Sequence, residues 1–167
     1  MTAFAGALLQ PLLTPMHLMA VAALALLIGQ QGWGPRVAAG YAVAVLAGLG
    51  AIALAYVPTR AEEGLLTASA TAGLLVALGR PLPRSIGALL AAATGLALAL
   101  DSPPEGISLR EANLALLGTA VGATLLLAIL VQMTTRLTSA RQRIGVRIAG
   151  SWIAASAVLT LALRLLR

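Results

Sequence analysis

The sequence of 167 residues contains no cysteine, no lysine and only one histidine, His17. Without cysteine, disulfides, thiolate metal ligands and thiol chemistry are excluded. With one imidazole, a multi-histidine metal site is excluded, and no Ser-His-Asp set, phosphate-binding loop or haem ligand pair is recognisable. Only 10% of the residues are charged, which is too few for the surface of a soluble domain of this length. The sequence therefore predicts neither an enzyme nor a soluble protein.

Apolar residues make up 60% of the chain and occur in long uncharged runs separated by short polar clusters. This is the pattern of a protein that crosses a lipid bilayer several times. Some runs are short for a span, but charged residues at helix ends can extend them by snorkelling. We predict an all-α integral membrane protein, a single transmembrane domain over residues 1–167, with six helices near 4–30, 37–57, 62–79, 85–100, 109–133 and 144–165.

The arginines predict the orientation of this bundle. With six spans, seven arginines fall on one side and four on the other, and the arginine-rich side is expected to be cytoplasmic. Both termini are then expected outside the cytoplasm, with the protein in the inner (plasma) membrane. No basic patch alternates with aromatic residues, so nucleic acid is not an expected partner. The expected partner is the bilayer itself.

The five acidic residues all fall on the side opposite the arginine-rich one: Glu62, Glu63, Asp101, Glu105 and Glu111. An acidic mouth at this side would concentrate cations. Alternatively, these residues only keep the loops solvated. Among them, we expect only Glu62 and Glu63 to adjoin an apolar helix directly, in its first turn.

The stretch "TPMHLMA" places His17 inside an otherwise apolar segment. On a continuous helix, Gln10, Thr14 and His17 stand at i, i+4 and i+7 and share one face. Such a polar stripe is expected to face the bundle interior or a water-filled cavity, and prolines at 11 and 15 predict a kink there. The stripe is a candidate substrate niche; alternatively, His17 is an interior histidine bonded to a neighbouring helix. Copper is disfavoured, because the flanking methionines point away from His17 on a regular helix.

Small residues inside the predicted helices favour close packing. "GTAVG" places Gly118 and Gly122 four residues apart, on one face of a helix. Such a pair allows two helices to approach closely, either within the bundle or between subunits.

The segment "QPLLTPMHLMAVAALALLIGQQ" resembles the opening helix of the HupE/UreJ family, membrane proteins linked to nickel hydrogenases and ureases. The family pattern is His-Pro, then Gly, then Asp-His, and Pro11 and His17 match it. Gln10, Thr14 and Met16 stand where the family has histidine, glycine and aspartate. "AEEGLLTASATAGLLVALG" and "NLALLGTAVGATLLLAIL" are similar to later family segments, although Leu127 replaces a histidine. In "DSPPEGISL", only Glu105 matches the family's polar loop.

This resemblance implies a nickel or cobalt permease, but the departures from it imply a weakened metal site. His17 would remain as the one metal ligand, with no resident cofactor, and a lone imidazole does not hold a dication tightly. Two hypotheses follow. The first is a divergent transporter of a cation or small solute, with a niche at Gln10, Thr14 and His17 and an entrance at Glu62 and Glu63. The second is a non-catalytic accessory subunit of a larger membrane complex, with other membrane subunits as partners.

Overall fold

The computed structural model describes residues 3–54, 60–102 and 108–166. This part of the chain is entirely helical apart from turns and short connections. Its seven helices are α1 (Ala3–Leu13), α2 (Pro15–Gln31), α3 (Pro35–Ala53), α4 (Ala61–Leu78), α5 (Arg84–Leu100), α6 (Leu109–Thr135) and α7 (Ala140–Leu165).

The first predicted helix, 4–30, is two helices. The chain breaks at Thr14, and the axes of α1 and α2 differ in direction by 69°. Pro15 is the first residue of α2, where its missing N–H and fixed φ are well tolerated, and it disfavours helical geometry at Thr14. The prolines predicted a kink, but the sharp turn means that residues before and after position 14 do not share one helix face.

The other helices differ from the prediction mainly at their ends. The third helix begins at Pro35 and the described part of it ends at Ala53, so the predicted end at 57 lies outside the described residues. The last helix begins at Ala140, four residues before the predicted start at 144. Ser139 and Gln142 form a capping box there, in which each side chain binds the backbone N–H of the other residue.

Helix α2 is the centre of the bundle. It packs against α4, α5, α6 and α7. Among the outer helices, each contacts the next in the order α1, α6, α3, α5, α4 and α7. Because α2 is apolar on all sides, its central position removes apolar surface on every side from water. Its buried residues are His17, Ala20, Val21, Ala23, Leu24, Ala25, Leu27 and Ile28.

Among the described helices, α3, α4, α6 and α7 are each long and apolar enough to cross a membrane. The bent pair of α1 and α2 meets the same criteria when it is counted as one broken span, and α5 is a shorter apolar helix of 17 residues. Leucine, isoleucine and valine side chains are exposed along the outer faces of these helices. The fold therefore indicates a membrane-embedded helical protein.

Contacts between helix ends define two ends of the bundle. One end, called the arginine end below, carries the seven arginines of the arginine-rich side: Arg36, Arg80, Arg84, Arg136, Arg141, Arg143 and Arg147. At this end, Gln31 of α2 donates to the carbonyl of Arg80 (2.7 Å) and accepts from the N–H of Leu82 (3.2 Å). Gln30 donates to the carbonyl of Val76 (3.3 Å). These bonds fix the end of α2 to the α4–α5 connection. The opposite, acidic end carries four described acids: Glu62, Glu63, Asp101 and Glu111.

Candidate functional site

His17 lies at the acidic end of the bundle, in the first turn of α2. Its imidazole is buried, with 1% of its surface exposed. The break at Thr14 places this first turn inside the bundle, so a polar ring enters an interior made of apolar side chains. A polar group in such surroundings is stable only when it is hydrogen-bonded.

The partner of His17 is Asp101, which follows α5 directly and caps its carboxyl end. The distance between His17 Nε2 and Asp101 Oδ2 is 3.0 Å. The Asp101 backbone N–H donates to the carbonyl of Ala97 (3.0 Å), and the hydroxyl of the buried Ser102 donates to that of Leu98 (2.8 Å). These bonds hold the carboxylate over the imidazole, and 22% of the Asp101 side chain remains exposed. The pair thus joins the interior to the surface.

The second ring nitrogen of His17, Nδ1, is buried and has no hydrogen-bond partner among the described residues. In the neutral tautomer with its proton on Nε2, that nitrogen donates to Asp101 and Nδ1 keeps a free lone pair. Leaving such an acceptor unpaired in the interior costs about 1–3 kcal/mol. The arrangement suits a hydrogen-bond donor or a cation that approaches Nδ1.

The other predicted niche residues lie elsewhere. Gln10 is on α1, and its Oε1 accepts a hydrogen bond from Thr119 of α6 (3.4 Å). Thr14 occupies the break between the two helices, and its side chain does not cap α2. No hydrogen bond in the described part of the chain joins either residue to His17. Gln10, Thr14 and His17 therefore do not form the predicted polar stripe, because that prediction assumed one continuous helix.

The predicted entrance residues Glu62 and Glu63 lie in the first turn of α4, as expected. Glu62 forms an ion pair with Arg164 near the end of α7. The positive charge of Arg164 offsets the negative charge of Glu62, so this carboxylate attracts cations less than an unpaired carboxylate would. Glu105 lies outside the described residues.

Gly118 and Gly122 lie against α1, whose backbone approaches α6 closely. A Cβ atom at position 118 would come within 2.5 Å of the Phe4 carbonyl oxygen, and one at position 122 would meet the carbonyl of Leu8. The two glycines thus serve a contact inside the chain and hold α1 across α6. Since Gln10 of the same helix bonds to Thr119, this contact also fixes the entry to α2.

Asp101 is the residue of the candidate site that the sequence did not predict. The expectation that only Glu62 and Glu63 adjoin an apolar helix is wrong, since Asp101 directly follows α5. Its signal was the position of an acid immediately after an apolar run, at the same side as His17. What the sequence lacked was the neighbourhood of α2 and α5.

The described residues at the acidic end do not supply the ligands that a nickel or cobalt ion needs. A dication site usually combines several imidazole or carboxylate ligands. Within residues 3–54, 60–102 and 108–166, no three His, Cys, Asp or Glu side chains come together as such a site requires. His17 and Asp101 are the pair that does meet, and they bond to each other.

Comparison with models of protein families, with curated proteins and with solved structures found no match to this chain.

Proposed function

We propose that the protein is a membrane transporter whose substrate is a cation or a small solute bearing hydrogen-bond donors, bound at His17 and Asp101. The observation that carries this proposal is the unpaired Nδ1 of a buried imidazole whose other nitrogen binds a partly exposed carboxylate. Ionisable residues in this position within a membrane protein usually belong to a substrate or ion pathway. The resemblance of the first helices to HupE/UreJ permeases supports the same class of function.

Further buried polar atoms support a route through the bundle. Besides His17, the described residues with an unpartnered buried polar atom include Ser69 on α4, Thr94 on α5, Tyr41 on α3 and Gln30 on α2. Ser69 and Thr94 lie on helices that pack against α2, whereas Tyr41 lies on α3, which packs against α5 and α6. Polar groups buried in proteins are normally paired with protein atoms or with water. A substrate or a file of water molecules passing beside α2 would satisfy the unpartnered atoms on α2, α4 and α5.

The charges of the two ends favour a cationic substrate entering at the acidic end. Asp101 contributes a carboxylate that no described arginine pairs with, whereas Glu62 is paired with Arg164. We further propose that this end faces away from the cytoplasm, in the inner membrane, with α1–α2 counted as one of six spans. The arginine bias supports this orientation.

A second candidate is an accessory subunit of a membrane complex. A furrow of about 410 Å³ between α3 and α6 favours it, lined by Leu46, Leu49, Gly50, Ala53, Asn113, Leu116, Leu117 and Ala120. Asn113 is the one side chain with an amide in this apolar lining. In a bilayer, an amide on an outer face is stabilised by a polar group on another helix.

Flux measurements on purified protein in liposomes test the transporter. The probes are potassium, methylammonium, nickel and cobalt ions, each supplied on one side. We expect at least one to enter faster than in protein-free liposomes, and His17→Ala or Asp101→Ala to slow it about tenfold, as loss of one charged hydrogen bond predicts.

The matched control is Glu111→Gln, which removes an exposed carboxylate from the acidic end without touching the pair. Its flux should equal that of the wild type. Absence of any protein-dependent flux, together with a co-purifying membrane protein that Asn113→Leu releases, would instead establish the accessory subunit.

A further inference from the structure

Helices α4 and α7 are in backbone contact and form an apolar furrow beside the contact line. They meet at Gly73 and Gly150, where a Cβ atom on Gly73 would lie 2.7 Å from the Gly150 carbonyl oxygen. The furrow has a volume of about 610 Å³ and is lined by Ala70, Thr71, Leu74, Ala154, Ala155, Val158, Leu159 and Ala162. The hydroxyl in this lining, that of Thr71, donates to the carbonyl of Thr67 (2.8 Å). The furrow therefore offers a surface for hydrocarbon.

An arginine stands at one end of this surface. The α7 residues of the lining continue at helical spacing through Ser151 to Arg147, which is exposed. Arg147 Nε donates to the carbonyl of Ala77 (2.9 Å), and its guanidinium lies beside Gly79, the residue that caps the carboxyl end of α4. Arg80 follows immediately. The terminal guanidinium nitrogens of Arg147 form no ion pair with any described residue, so they are free to bind an anion.

We propose that the α4–α7 furrow binds one acyl chain of an anionic phospholipid, whose phosphate is held by Arg147 and Arg80. Guanidinium groups suit phosphate because they donate two parallel hydrogen bonds. Val158 lies eleven residues beyond Arg147, which is about 16 Å along the helix axis and close to the ~15 Å depth of one leaflet. A phosphate at the arginine thus places its acyl chain along the furrow.

The charges of α7 favour a lipid over a second copy of the chain. The first turns of α7 carry three exposed arginines: Arg141, Arg143 and Arg147. A symmetric dimer with parallel α7 helices would bring these like charges together, which is unfavourable. Anionic headgroups would neutralise them.

The test is a lipid titration of the purified protein in mild detergent, followed by native mass spectrometry. The probes are phosphatidylglycerol and phosphatidylcholine with identical acyl chains. We expect the wild type to retain phosphatidylglycerol preferentially. The double variant Arg147→Gln/Arg80→Gln should bind it about tenfold more weakly, whereas Arg36→Gln should match the wild type. Arg36 is the control because it is also exposed at the arginine end, but on α3, which packs on α5 and α6.

A second pair of variants tests the furrow itself. Ala155→Leu fills the furrow and should weaken retention of both lipids, while Ala149→Leu, exposed on another face of α7, should not. Thermal unfolding of each variant shows that it is folded. Equal retention of the two lipids by the wild type would overturn the proposal, as would equal losses in Arg36→Gln and the double variant. A change of oligomeric state in Ala155→Leu would assign the furrow to a second copy.

Discussion

The indole of Trp33 lies where a side chain at position 87 would have to be. Trp33 follows the turn after α2 and is buried against the first turn of α5, and a Cβ atom on Gly87 would overlap its six-membered ring. The indole therefore fills the space left by the glycine and joins the arginine ends of the two helices.

Gly87→Ala should lower the free energy of unfolding by about 1–3 kcal/mol, the usual cost of overpacking. Gly40→Ala is the matched control, because nothing lies within 4 Å of a Cβ atom at that helical position. The control should be neutral or stabilise the helix by up to about 1 kcal/mol. Thermal unfolding in detergent measures both, and equal melting temperatures for the two variants would contradict the packing of Trp33.

Gly118→Leu and Gly122→Leu should each separate α1 from α6 and lower stability by about 3 kcal/mol, because a large side chain cannot fit against the α1 backbone. Gly6→Leu, on α1 but away from this contact, should be tolerated, since nothing lies within 4 Å of its Cβ position. Melting temperature and yield in detergent report the difference. Wild-type behaviour of both α6 variants would mean that α1 does not pack there.

His17→Ala should lower stability by about 1–2 kcal/mol through loss of its bond to Asp101. A double-mutant cycle with Asp101→Ala isolates this term, and the coupling energy between the two positions should be about 1 kcal/mol or more. Metal content should stay near zero in the wild type and the variants. About one nickel or cobalt ion per wild-type chain, released by His17→Ala, would disprove this prediction and favour the permease that the family resemblance implies.

A reporter active only in the cytoplasm should give no signal when it is fused after Arg167, because the arginine bias predicts that both termini lie outside. The control is a fusion within the connection between α6 and α7, at Thr138, which should be active. Activity at the C-terminus with silence at Thr138 would reverse the orientation and place the acidic end in the cytoplasm.

The helical framework was largely predictable from the sequence, because uncharged runs and turn residues mark where helices begin and end. The prolines at 11 and 15 also indicated a bend. The angle of this bend was not predictable, because a proline is compatible with anything from a slight kink to a full break of the helix. The angle depends on how the two segments pack against neighbouring helices. Here the packing of α1 against Gly118 and Gly122 of α6 fixes the direction of α1.

The candidate site was less predictable for the same reason. His17 was identifiable as an anomaly in an apolar segment, but its partner is 84 residues away. The pairing of Glu62 with Arg164 depends likewise on α4 and α7 being neighbours. Periodicity describes one helix at a time, whereas these bonds depend on which helices are adjacent.

The central position of α2 also has a consequence for biosynthesis. Helix α2 leaves the ribosome before helices α3–α7, and the carboxylate that binds its imidazole follows 84 residues later. At about 5–20 residues per second, His17 is without Asp101 for roughly 4–17 s. During that interval α2 is surrounded by lipid or by the insertion machinery, so its apolar circumference suits both its temporary and its final surroundings. At one end of α2 the imidazole awaits Asp101, and at the other end Gln30 and Gln31 await their partners on α4 and in the α4–α5 connection.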